Sequence, residues 1–193
     1  MVKKHLIMIQ IMILAFILPA IAEQENLMLG PYKVSFDMGI DDLMDWVVHE
    51  PINSESMDGS LTYTQYIADV AILTEPQFVS ESKRLGHVPD SNYAAIYVTH
   101  YNTTQNMSAF GTKKDVEAAL SNYIDRSVSE RIIDGRHGII GYGTSMGTSY
   151  TTYFALWWMD NNTDVLVSSH HPWDEGTLSL LKTIHIDKIN ETS

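Results

Sequence analysis

Tyr150-Thr151-Thr152-Tyr153-Phe154-Ala155-Leu156-Trp157-Trp158-Met159 is dominated by aromatic and β-branched residues and carries no charge, glycine or proline. Such a run fits the pleated, packed surface of a strand. Successive side chains on a strand point to opposite faces, so Trp157 and Trp158 look in opposite directions. A strand of this kind belongs inside a sheet with both faces covered; otherwise one face is an exposed aromatic surface. Asp160 to Thr163 turns the chain, and Asp164 to Ser169 reads as the next strand. Pro172 can open a helix that packs Leu178, Leu180, Leu181 and Ile184 inward.

Upstream the period is that of strands. Pro31 to Asp37 alternates apolar and polar residues and stops at Gly39. Met44 to Glu50 reads as a second strand, ended by Pro51, and Asn53 to Ser60 as a polar loop. Leu61 to Leu73 and Tyr93 to Tyr101 are rich in Tyr, Thr, Ile and Val and read as strands. Asn102 to Gly111 reads as a loop. The period then changes. Thr112 can cap a helix with Asp115 in its first turn, and Val116, Ala119, Leu120, Tyr123 and Ile124 form one apolar stripe at helical spacing. Asp134-Gly135 between the apolar pairs Ile132-Ile133 and Ile139-Ile140 is a hairpin signal. Arg136 and His137 on that hairpin are candidates for a contact surface. The expected fold is α+β: a largely antiparallel sheet with two main helices packed on it.

The segment running from Tyr150–Met159 through the turn, the apolar strand, the closing helix and Leu181-Lys182-Thr183-Ile184-His185-Ile186 resembles the secreted PsbP-like α/β sandwiches in its order of elements. The resemblance covers about the last third of the chain. It implies a non-enzymatic, extracytoplasmic binding or assembly module with no catalytic residues to carry over.

The first 22 residues read as a secretory signal peptide. Lys3 and Lys4 give a basic start, Leu6 to Leu18 is apolar except for Gln10, Pro19 breaks the run, and Ala20-Ile21-Ala22 supplies a cleavage site. The apolar run is shorter than the roughly 20 residues of a membrane span. Cleavage leaves one domain, residues 23–193, secreted or at the outer face of the membrane, with no stable membrane span. Hydrophobic residues make up 45% of the chain and support a packed core; cysteines number zero, which rules out a disulfide scaffold and a thiol nucleophile. The chain carries 24 acidic against 12 basic residues, a net charge of −12, before two lysines leave with the leader. Such a surface repels phosphate backbones, so nucleic acid is a poor partner. The expected partner is an envelope protein or a small ligand, and no cofactor is implied. Asn102, Asn106, Asn161 and Asn190 each open an Asn-x-Ser/Thr triplet, an acceptor for glycans in an exported protein.

Two chemical alternatives compete with the binding reading. Gly143-Thr144-Ser145-Met146-Gly147 matches the nucleophile elbow of a serine esterase, with Asp164 or Asp174 and then His185 following in α/β-hydrolase order. An elbow must open a helix, whereas Thr148 to Phe154 favours strand, and a glycine-rich loop between strands explains the motif equally. His170, His171, Asp174 and Glu175 offer imidazole and carboxylate ligands for a divalent metal. Adjacent histidines on an extended segment point apart, and acids in a first helical turn are explained by the helix dipole. Asp160-Asn161-Asn162-Thr163-Asp164 resembles the start of a calcium loop but has Val165 where glycine is required. His49, His87 and His100 have no evident partner.

Overall fold

A computed structural model describes residues 25–37, 44–56, 59–72, 93–109, 112–145, 151–170 and 174–189. The signal-peptide reading, His87, His171 and Asn190 lie outside the described residues. Strands predominate, and the α+β expectation is corrected: among the described residues the two α-helices have only 8 and 10 residues. In chain order the elements are β1 (Glu25–Leu29), β2 (Tyr32–Phe36), β3 (Met44–Val48), β4 (Ile52–Glu55), β5 (Thr62–Ile72), β6 (Tyr93–Tyr101), a 3₁₀ turn (Met107–Ala109), α1 (Thr112–Ala119), β7 (Tyr123–Ile133), β8 (Arg136–Ser145), β9 (Thr151–Asp160), β10 (Thr163–His170), α2 (Asp174–Thr183) and β11 (His185–Lys188). No helix among the described residues is long and apolar enough to cross a membrane.

The helical share shrinks because one apolar stripe serves two elements. The stripe expected to run to Ile124 leaves the helix at Ala119. Tyr123 and Ile124 open β7 instead, as adjacent strand residues on opposite faces. Tyr123 still packs with Val116 and Leu120, while Ile124 is exposed. Cross-strand pairing with β8 claims them. The junction is held by Arg126, whose guanidinium donates to the Ser121 carbonyl at 3.2 Å, past the helix end. A bulge in β7 beside Asp125, at φ 49°, brings Arg126 round.

Two antiparallel sheets result. The large one runs β3-β5-β6-β10-β9-β8-β7, with β4 also paired to β5; the small one runs β1-β2-β11. The segment expected to be a polar loop thus contains β4, paired with one half of β5 while β3 takes the other. Pro51 lies between β3 and β4, at an edge where a missing N–H does little harm. The small sheet and α2 cover one face of the large sheet, called here the inner face. Leu27, Leu29, Tyr32, Val34, Phe36, Leu180 and Ile186 meet Val70, Ile96, Val98, Trp157, Val165 and Val167 in one buried core.

Two tight turns set the register. Gly30-Pro31 joins β1 to β2 with Gly30 at φ 60°, and a Cβ there would strike the Tyr66 ring. Asp134-Gly135 joins β7 to β8 with both residues at positive φ, the geometry that matches strand twist. The Asp134 carboxylate accepts from Arg136, from the His185 ring at 2.6 Å and from the Ile186 N–H at 3.3 Å. Arg136 is therefore turned back onto its own hairpin, which is strapped to β11.

Candidate functional site

On the outer face of the large sheet the cover is partial. Among the described residues only α1 lies there, over β8 and β9, through Val116 and Leu120 against Ile139 and Leu156. Gly141 of β8 allows the approach: a Cβ on it would collide with the Val116 and Leu120 side chains. The helix is short, so the sheet beside it stays concave. A cavity of about 300 Å³ opens there, walled by Val116, Ala119, Phe154, Leu156 and Leu166 and carrying Gln65, Thr99, Tyr101, Asp115 and Asp164 as its polar groups. A second cleft of about 360 Å³, lined by Tyr97, Tyr123, Thr152, Ser168 and Ser169, shares Phe154 and Leu166 with it.

The sheet register builds the polar cluster. Asp164 opens the apolar run of β10, where alternation sends Val165 into the inner core and Asp164 outward. Its cross-strand partners are Thr99 on β6 and Trp158 on β9. The Tyr101 hydroxyl donates to the Asp164 carboxylate at 3.0 Å, and Gln65 Nε2 donates to Thr99 Oγ1 at 3.3 Å. Asp164 is 8% exposed. Burial pushes its carboxyl up to about 6, against the pull of hydrogen bonds from Tyr101 and Thr99; the charge of Asp115 adds to the rise. Burial and the neighbouring Asp164 charge likewise raise the Tyr101 phenol. Beside the cavity the Tyr101 ring lies between Tyr63 and Trp158, with centroids 5.9 and 5.8 Å away.

The esterase residues are not brought together. Ser145 ends β8 as a strand residue, and β9 follows it as an antiparallel strand. His185 is bonded to Asp134 at the other end of β8, on the small sheet; at about 3.3 Å per residue the two ends of β8 are roughly 30 Å apart. Asp164 faces the opposite side of the large sheet from β11. Of the metal candidates, His170 ends β10 and Asp174 and Glu175 open α2; their side chains, like His171, lie outside the described residues. The Asp160–Asp164 segment is a turn: Asp160 accepts from the Asn162 N–H at 2.8 Å and from Thr163 Oγ1 at 3.2 Å.

Asn102, Asn106 and Asn161 are exposed. They share one rim, because the Met107 N–H donates to the Asn161 carbonyl at 2.8 Å and Asn162 Nδ2 to the Thr103 carbonyl. His49 bonds Asp69 at 2.9 Å and His100 bonds Thr163 at 3.0 Å, partners that lie on neighbouring strands.

No family model matches this chain, nor does any curated protein or solved structure. The functional reading therefore rests on the site. The sequence points to Asp164 as an esterase helper or as part of a calcium-loop-like run, and does not mark Gln65, Thr99, Tyr101, Asp115 or Phe154 as site residues. The available signal was the acid itself, an Asp heading the Val165-Leu166-Val167 run of a buried strand.

Proposed function

We propose that this protein is an exported, non-catalytic binding module whose small-molecule site is the cavity between α1 and the outer face of the large sheet. The observation that carries the reading is a concave apolar cavity built around a buried carboxylate with a shifted pKa. Concave apolar walls with a few convergent polar groups are the usual form of a small-ligand site. The non-enzymatic extracytoplasmic role implied by the PsbP-like resemblance agrees with it. So does the leader: cleavage after Ala22 leaves β1 intact from Glu25. Asn102, Asn106 and Asn161 are glycan acceptors in this reading, and none of them lines the cavity.

The test is a ligand-observed NMR screen of neutral and charged fragments against the wild type and Ala119→Trp. Ala119 is exposed on α1 and lines the cavity, so the larger ring fills the site without entering the core. Hits that compete with one another and vanish in Ala119→Trp are expected. A hit list unchanged by that substitution overturns the assignment. Mass spectrometry of the exported protein should give Glu23 as first residue and hexose-bearing peptides at the rim; a chain retaining Lys3 and Lys4 overturns the cleavage and points to a tether at the outer face of the membrane.

A further inference from the structure

We infer that the cavity takes a small organic cation, an amine whose ammonium meets Asp164 and Asp115 and whose apolar body lies against Phe154, Leu156 and Leu166. The inference rests on the cavity being the binding site. Among the described residues two carboxylates line that space, and no Lys, Arg or His lines it with them. A buried carboxylate is ordinarily paired with a cation or satisfied by strong donors. Asp164 is nine-tenths buried, and among the described residues its donors are neutral, the Tyr101 hydroxyl and the Thr99 side chain. An ionised carboxylate offers about four acceptor positions, so room for a cationic donor remains.

The walls decide between kinds of cation. A calcium ion takes 6–8 oxygen ligands, and magnesium demands an octahedron of them. Here most of the lining is aliphatic or aromatic, which suits a carbon skeleton and not a hydrated metal. A volume of about 300 Å³ admits a compact ligand at the small end of the usual range. The chain's net charge of −12 draws cations toward the surface from a distance.

The probes are phenethylammonium chloride and its neutral isostere 2-phenylethanol, titrated calorimetrically at pH 8 into the full exported chain. The amine should bind at least tenfold more tightly than the alcohol. Asp164→Asn should abolish that preference. Asp115→Asn, at an exposed helix position that leaves the core alone, should reduce it about threefold. If the alcohol binds as well as the amine, and Ala119→Trp blocks both, the cation inference fails while the cavity remains the binding site. If neither probe binds, the inference is overturned, and the fragment screen separately decides the fate of the cavity. If the amine binds with unchanged affinity in Asp164→Asn and Asp115→Asn, its site lies elsewhere and the inference is likewise overturned.

Discussion

Along β9 the inner face presents Ala155 and Trp157, both fully buried under the small sheet, while the outer face presents Phe154 and Leu156 to α1, the one helix on that side among the described residues, and Trp158 to Tyr101. The same strand therefore serves two surfaces with different physics. The inner face is closed over by a second sheet, so its contribution is burial. The outer face keeps a cavity, a buried acid and an aromatic row that packing alone does not require. A sheet covered unequally separates stability from binding: one side can be optimised for density while the other tolerates a group that opposes folding.

The largest expected effect tests that separation directly. Trp157→Ala should destabilise by about 3–5 kcal/mol, the usual cost of truncating a fully buried large aromatic. Its indole N–H finds no acceptor among the described residues, so the loss is one of packing. Trp158→Ala should cost only about 1–2 kcal/mol, since its ring, packed on Tyr101, is part-exposed. Denaturant unfolding of both variants measures the difference. Equal losses would mean that the outer face is as closed as the inner one.

A second contrast concerns charge. Asp164 has its carboxyl raised to about 6 chiefly by burial, with Tyr101, Thr99, Gln65 and Asp115 facing it. An acid whose folded pKa lies above its unfolded value binds more protons when folded. Its contribution to stability is fully present below about pH 4 and is lost as pH rises through about 6. The shift corresponds to about 3 kcal/mol. The stability of Asp164→Asn relative to the wild type should therefore rise between pH 4 and pH 8 by about that amount. No rise would mean that the carboxylate is compensated in the free protein, and the argument for a cationic ligand would weaken with it. On the inner face the alternate residue Val165 has no charge to titrate.

The helix that makes the outer face concave can be lifted. Gly141→Ala drives a methyl into the Val116 and Leu120 side chains, which forces α1 away from β8. Overpacking of this kind costs about 1–3 kcal/mol. Fragment binding in the cavity should change along with stability, whereas Trp157→Ala should change stability alone at temperatures where the chain stays folded. NMR shift mapping on both variants checks this; a cavity indifferent to Gly141→Ala would show that α1 does not shape it.

How far the sequence reaches follows from which interactions are local. β6 is legible at its full bounds, Tyr93–Tyr101, because β-branched and aromatic residues fill it and polar segments flank it. The Asp134-Gly135 hairpin is legible because two positive φ angles demand those residues. β1, β4 and β11 are short, and β4 is the polar string Ile52-Asn53-Ser54-Glu55, which becomes a strand only by pairing with β5. The end of α1 is hidden because Tyr123 satisfies a helical stripe and a strand contact with the same cluster. The site is the least legible part. Asp164 and Tyr101 are 63 positions apart and meet only through the β6–β10 register, which no local pattern encodes.

The smallest expected effect lies at the strap between the sheets, where the inner face is anchored at its edge. His185 bonds Asp134 at 2.6 Å and Asp187 at 3.0 Å, and its ring is raised above the usual histidine range, first by the hydrogen bond to Asp134. A histidine with a raised folded pKa gives stability that is fully present below about pH 6.5 and lost as pH rises through the folded value. The ring is 53% exposed, so solvent screens the pair and its worth is that of a surface ion pair, about 0.2–1 kcal/mol. His185→Gln should therefore lower stability by less than 1 kcal/mol at pH 5.5 and by almost nothing at pH 9. Asp134→Asn should do more at both values, because its side chain is 2% exposed and also accepts from Arg136 and the Ile186 N–H. Thermal unfolding of the two variants at both pH values separates a titrating strap from a fixed one. If His185→Gln is equally mild at both, the charge contributes nothing, and β11 is held by its ladder to β2 and the buried Ile186 alone.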